Sequence, residues 1–275
     1  MDQYLELYDT FDTKLVYDFV LGAGGIGDLI KFFMNVLNWC MKYNIRIYYL
    51  VHDIPVEKYL KLKYPKMYIT RDEISNDFIE IENIDSIPDI LNDTYYLVKP
   101  YRFYYRDAEI LSPLNMFYFA EEVISNAYLN VYEPHFQKEY IPGKEYEGPK
   151  YISIHLRLGD KFLETDREFI QVKEDSRYYV ECDIFNFIES NYDKTILFFC
   201  DNNSYKQKIK NRYSNVIITE YEIGHTSFLN TTDAQVLNTL TDFYLISNSE
   251  HIYAASYSGF SEIASTLHNV PITKL

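Results

Sequence analysis

Short apolar runs rich in Ile, Val, Tyr and Phe alternate along this chain with longer segments whose apolar residues recur every three or four positions. That alternation is the strongest constraint on the fold, because strands separated by helices pair in parallel. Lys14 to Leu21 predicts a first strand. A helix follows from Asp28 to about Lys42, with Leu29, Phe32, Phe33, Val36, Leu37 and Cys40 on one buried face. Ile45 to Val51 predicts a second strand and closes a strand–helix–strand unit. Val56 to Tyr64 reads as a short helix, residues 83–94 as a turn and short helix, and Asn115 to Tyr128 as a helix. Met67 to Thr70, Ile79 to Ile81 and Tyr95 to Val98 read as strands.

Three prolines and two glycines in a polar stretch from Tyr132 to Lys150 read as a linker. The expected division is a first unit over 1–132, a linker over 133–150 and a second unit over 151–275. The second series is regular. Strands are predicted at Tyr151 to Leu156, Thr195 to Cys200, Asn215 to Thr219 and His251 to Ala254. Helices are predicted at Tyr178 to Asn191, Ser204 to Tyr213, Thr232 to Ser247 and Ser261 to His268. The fold class is α/β, with two Rossmann-like halves and a cleft between them where a ligand would lie.

Composition excludes several classes. The net charge of −15 over 275 residues argues against a general basic surface for nucleic acid, which would need clustered Lys and Arg. It leaves room for a small anionic ligand held by a few local cations. No apolar run reaches the length of a membrane span, and the acidic N-terminus carries no signal-peptide pattern. Cys40, Cys182 and Cys200 are widely spaced, which suits reduced thiols, a cytoplasmic setting and no zinc site. His225, His251 and His268 lack metal-ligand spacing, and no nucleophile elbow or P-loop is present.

Four motifs carry candidate chemistry. The most informative is Tyr151 to Asp160, Y-I-S-I-H-L-R-L-G-D. A buried strand there ends in Arg157, Gly159 and Asp160, and ligands of open α/β sheets bind beyond the carboxyl ends of strands. Arg157 suits a diphosphate and would act on charge that grows as a leaving group departs. His155 shares its strand face and could meet a base or ribose. The alternative is an Arg157–Asp160 ion pair with a core histidine. Gly22, Gly24 and Gly27 match the dinucleotide fingerprint in spacing, with Asp53 near the expected ribose-binding position. Asp28 beside the last glycine disfavours a pyrophosphate there. A close-packed turn, a ligand-facing loop and a dinucleotide site all remain open. Asp201 and Asn202 end another strand and could read a purine edge, or the turn could simply cap a helix. Ser256, Ser258, Gly259 and Phe260 join the last strand to the last helix and form a candidate anion-binding nest. Arg102 and Arg106 sit in a cationic aromatic patch that could stack on a sugar acceptor or be packing with snorkelling arginines.

H-L-R-L-G-D at 155–160 resembles the H-x-R-x-G/T-D motif of the fucosyltransferase superfamily that uses GDP-fucose, which includes α1,2-, α1,6- and protein O-fucosyltransferases. Gly24-Gly25-Ile26-Gly27-Asp28 resembles that family's glycine loop, with Asp28 in place of its usual Asn. F-F-C-D-N-N at 198–203 resembles its second motif. Asp242, Ile246 and Ser247, followed by Ser256 to Ser261, resemble its third. The resemblance implies a GT-B-type fold of two facing Rossmann-like domains. It also implies an inverting, metal-independent transfer of fucose from GDP-fucose to a glycan or other hydroxyl acceptor, carbohydrate or protein, with no cofactor. By the resemblance Arg157 would bind the β-phosphate, and His155 with Asp201 or Asn202 the guanosine. Ser256, Ser258 and neighbouring amides would bind the diphosphate, and Gly24, Gly25 and Gly27 would lie on the donor side. Asp28, Arg102 and Arg106 would face the acceptor. Glu164, Asp28 and Asp160 are the candidate bases. Another nucleotide-sugar donor, an NAD(P)- or flavin-dependent oxidoreductase built on Gly22 to Gly27, and a non-catalytic nucleotide-sugar binder are the competing readings.

Overall fold

The computed structural model describes residues 1–74, 78–81, 94–101, 116–142, 149–163 and 174–275. Two five-stranded sheets, all parallel within the pairings formed, organise the chain. The first has the order β4-β2-β1-β6-β5, from β1 (Lys14–Tyr17), β2 (Arg46–Leu50), β4 (Tyr68–Ile69), β5 (Phe78–Ile81) and β6 (Tyr95–Val98). The second has the order β10-β9-β8-β11-β12. Its strands are β8 (Ile152–Leu156), β9 (Ile196–Cys200), β10 (Val216–Ile218), β11 (His251–Ala254) and β12 (Ile272–Lys274). In β8 and β9 every residue is buried, the expected signature of parallel strands covered on both faces.

Helices carry each strand back across the sheet. The glycine-rich turn after β1 leads into α2 (Ile26–Tyr43), which buries Leu29, Phe32, Phe33, Val36, Leu37 and Cys40, the face that its spacing predicts. Asn44 ends it in the left-handed conformation. In the second half α6 (Glu181–Ser190), α7 (Asn203–Arg212), α8 (Asp233–Ser247) and α9 (Gly259–Leu267) follow the predicted series.

Three readings need correction. Val56 to Tyr64 is not one helix, because α3 (Pro55–Tyr59) gives way to β3 (Leu60–Leu62). Nor is Asn115 to Tyr128, where β7 (Phe117–Phe119) precedes α4 (Glu121–Ala127). β3 and β7 form an antiparallel pair of alternating buried and exposed residues, a pattern that a helix reading of Phe117 to Phe119 overlooks. The stretch read as a linker begins with a helical turn, α5 (Glu133–Phe136), and residues 143–148 lie outside the described set. The helix expected at 83–94 also falls almost wholly outside it. An N-terminal helix, α1 (Asp2–Leu7), was not predicted; its Tyr4 hydroxyl donates to the Ile45 carbonyl at 2.7 Å and fastens the helix to the start of β2.

One large apolar cluster joins the two halves. It runs from Leu29, Phe33 and Leu37 of α2 through Val123 of α4 to Leu240 and Phe243 of α8, Ala264 and Leu267 of α9, and Phe199 of β9. Phe119 meets the rings of Phe243 and Tyr244 edge-on, at 6.2 and 5.4 Å. Separate smaller clusters cover the outer face of each sheet. The carboxyl ends of β1, β8, β9 and β11 are thereby held around a common space.

Candidate functional site

That space is a cavity of about 590 Å³, lined from both halves of the chain. Gly24, Gly25, Gly27 and Asp28 reach it from the β1–α2 turn. His155, Arg157 and Asp160 reach it from the end of β8, Asp201 from the end of β9, and Ser258, Gly259 and Phe260 from the start of α9. Most residues singled out from the sequence therefore meet in one place. In the second sheet the cavity sits beside the switch point between β8 and β11, where open α/β folds bind ligands.

Arg157 is the centre of the arrangement. Its Nη1 donates to Asp201 Oδ2 and its Nη2 to Asp160 Oδ1. Three of its five N–H groups remain without a partner among the described residues. The two carboxylates fix the plane of the guanidinium and leave an edge for a ligand oxygen. Asp201 also accepts the backbone N–H groups of Leu158 and Gly159 at 2.8 and 3.0 Å. It thus holds the β8 turn as well as the arginine. Gly159 has φ 112°, and a Cβ there would stand 2.5 Å from the Asp175 carbonyl oxygen, so only glycine fits. Burial pushes the Asp160 carboxyl up, against the pull of Arg157.

His155 is 5% exposed and its Nδ1 has no hydrogen-bond partner. Its ring stacks on Phe260, centroid to centroid 5.3 Å. Burial pushes its pKa down to about 4, with Asp201 and Arg157 acting in opposite senses, so the ring is neutral near pH 7. An orphaned buried nitrogen on a cavity wall marks a place for a ligand's polar edge. Asp242 of α8 also lines the cavity and is 3% exposed. Burial raises its pKa to about 6, opposed by Lys206, and it accepts the Tyr221 hydroxyl at 2.8 Å. A buried carboxylate and a neutral imidazole lining one cavity suit the N–H groups of a purine edge.

Several expectations need correction. Ser256 is fully buried and does not line the cavity. Its hydroxyl accepts from Arg157 N at 2.8 Å and donates to Arg157 O at 2.9 Å, stitching β11's loop to β8's. Asn202 caps α7, its Oδ1 accepting from Tyr205 N at 2.9 Å, while its Nδ2 donates to Phe162 O. It faces away from the cavity lining because the helix start consumes its side chain. Asp201 spends both oxygens on Arg157 and the β8 turn and so braces the site from the cavity wall. Asp53 is exposed with φ 55° and lies outside the cavity lining. Glu164, Arg102 and Arg106 fall outside the described residues.

The glycine turn is bound to the second half of the chain. Gly22 N–H donates to Ser227 O at 2.8 Å and to Ser227 Oγ at 2.6 Å. A Cβ on Gly27 would lie 2.9 Å from the Gly259 carbonyl oxygen, so the α2 and α9 starts touch backbone to backbone. Asp28 accepts Gly25 N–H at 3.2 Å and caps its own helix. The loop between β10 and α8, with His225, Thr226 and Phe228, also lines the cavity and was not singled out from the sequence. Its position after a strand of the second sheet, shared with Arg157 and Asp201, was the signal that could have found it.

No protein-family model matches the chain, and no curated protein does. Solved structures of similar fold span nearly all of it. The Bradyrhizobium α1,6-fucosyltransferase NodZ, soaked with GDP-fucose, aligns over 93% of this chain and 92% of its own, at 11% identity and TM-score 0.57. A point mutant of Arabidopsis thaliana FUT1 in complex with GDP aligns over 100% and 74%, at 12% identity and TM-score 0.57. POFUT1 in complex with GDP aligns over 96% and 99%, at 9% identity and TM-score 0.52. The chain therefore has the α/β fold of fucosyltransferases, as its motifs led one to expect. No helix among the described residues is long and apolar enough to cross a membrane.

Proposed function

We propose that this chain is a glycosyltransferase that binds GDP-fucose in the cavity and transfers fucose to a hydroxyl acceptor. The observation that carries the reading is Arg157, held between Asp160 and Asp201 at a strand end, with N–H groups unsatisfied among the described residues at the wall of a cavity large enough for a nucleotide. The solved fucosyltransferases of the same fold, crystallised with GDP or GDP-fucose, support the choice of donor.

In this reading residues 151–275 form the donor-binding unit and residues 1–132 the acceptor side. Guanine lies toward His155 and Asp242. The neutral imidazole gives or takes one hydrogen bond, and the carboxylate accepts from the purine N–H groups. The diphosphate lies between Arg157, the N-terminus of α9 and the glycine turn. As the bond from fucose C1 to the β-phosphate oxygen breaks, charge grows on that oxygen, and Arg157 stabilises it without reorganising. A carboxylate takes the acceptor's proton as its oxygen attacks C1 from the opposite face, which inverts the anomeric carbon. Asp28 and Asp160 are the described candidates for that base. Arg157 and the helix N-termini supply the positive potential that a metal would otherwise give.

Calorimetric titration with GDP, GDP-fucose, GDP-mannose, UDP-glucose and NADH tests the reading. Binding of GDP and GDP-fucose, with free fucose or a fucosylated product released, supports it. NADH binding in preference to GDP would instead favour an oxidoreductase, and binding of GDP-fucose without turnover a carrier. Arg157→Ala is expected to lower turnover by about 100- to 1,000-fold. Near-normal turnover in that variant would sink the assignment of Arg157.

A further inference from the structure

We propose that His225 is an uncharged hydrogen-bond donor to the diphosphate of the bound nucleotide sugar, an assignment that rests on the function proposed above. His225 sits in the loop between β10 and α8 and lines the cavity. Its Nδ1 accepts the Ser227 backbone N–H at 3.3 Å. An imidazole nitrogen that accepts carries no proton, so the ring's hydrogen is on Nε2. Nε2 lies next to the glycine turn on the cavity wall: a Cβ built on Gly25 would lie 3.6 Å from it. The missing side chain at Gly25 is what leaves Nε2–H open on that side.

The loop is built to keep this nitrogen in place. The His225 ring stacks on Phe228 at 4.1 Å and 15°. The His225 carbonyl accepts from Thr231 Oγ1 at 2.8 Å and from Phe228 N at 3.1 Å. Ser227 in turn holds Gly22 through two hydrogen bonds, so the loop and the glycine turn move as one. Orientation and tautomer are fixed before a ligand arrives.

Three facts point Nε2–H at phosphate and not at the base. The Arg157 guanidinium is close enough to be felt electrostatically at His225. The glycine turn and the start of the 18-residue α2 border the same corner. In the pose proposed above the guanine already meets His155, Phe260 and Asp242, which line the cavity. Burial, with Arg157 adding to it, pushes the His225 pKa down to about 3, so the ring stays neutral. A neutral donor adds a hydrogen bond to the phosphate without repelling Arg157. It strengthens as charge builds on the departing β-phosphate oxygen and gives up no proton.

The test is calorimetry of His225→Phe, which keeps the ring stack but lacks the donor, with GDP and with guanosine as ligands. GDP affinity is expected to fall about tenfold or more, the order of one hydrogen bond to a charged group, with guanosine affinity held within about twofold. Unchanged GDP affinity, or equal losses for GDP and guanosine, overturns the proposal. A wild-type measurement covers the case of a variant that does not fold. The His225 Nε2–H proton resonance in imidazole-labelled protein is expected to shift on saturation with GDP and to stay in place with guanosine. No shift with GDP overturns the assignment. Failure of the wild-type protein to bind either ligand removes the nucleotide reading itself, a result distinct from either of these.

Discussion

Numbered in chain order within each sheet, the strands run 3-2-1-5-4 in the first sheet and 3-2-1-4-5 in the second. Both sheets place their first strand centrally and follow it with a turn that faces the cavity. The turns differ in kind. After β1 comes bare backbone: Gly22, Gly24, Gly25 and Gly27, with Asp28 serving its own helix. After β8 comes a charged side chain braced by two carboxylates, on backbone held by Ser256. One edge offers shape and backbone N–H groups; the other offers charge that has been paid for in buried polar contacts. In the proposed function the diphosphate meets both, and they come from separate halves of the chain.

The largest effect is expected at Asp201. Asp201→Ala leaves Arg157 and two backbone N–H groups short of their acceptor in a buried setting. A loss of about 3–5 kcal/mol is expected, read by chemical denaturation, together with loss of GDP binding. Gly159→Ala comes next. Its φ of 112° and the 2.5 Å approach to the Asp175 carbonyl should cost about 1–3 kcal/mol. Gly25→Ala meets nothing closer than 3.6 Å and should leave the melting temperature nearly unchanged while weakening ligand binding.

Histidines separate the two edges by sign. His155 is depressed to about 4, so its contribution is fully present above pH 6.5 and is lost as pH falls toward 4, at about 1.4 kcal/mol per pH unit. His155→Phe should flatten that acid limb; an unchanged limb would show that His155 does not titrate as inferred. His52, after β2, behaves oppositely. Its Nε2 lies 2.6 Å from Asp18 Oδ1, and this hydrogen bond raises its pKa above 6.5 despite partial burial. The pair stabilises the fold below pH 6.5 and fades as pH rises through the raised value. His52→Gln should therefore cost up to about 1 kcal/mol at pH 5.5 and less at pH 8.5.

Much of this was legible because the signals were local. β8, β11 and the helices between them announce themselves by period, and Arg157 by its place at a strand end. What was illegible depends on partners distant in sequence. Nothing near Asp201 says that it accepts the N–H groups of Leu158 and Gly159, 43 and 42 residues away. Ser256 looks like a ligand-facing hydroxyl until Arg157, 99 residues earlier, is brought beside it. Asn202 reads equally as a cap or a base contact, and only the direction of α7 decides. His225 lacks a motif altogether; it matters because Gly25 stands opposite.

The apolar cluster that runs from α2 through α8 and α9 to β9 has a consequence for how the protein can be handled. Neither half owns it. A fragment cut at residues 133–150 would carry the exposed faces of α8 and α9 without α2 and α4, or the reverse, and would aggregate in place of folding. Denaturation of the intact chain should follow one transition common to all probes, and complementation between separately expressed halves should require refolding them together.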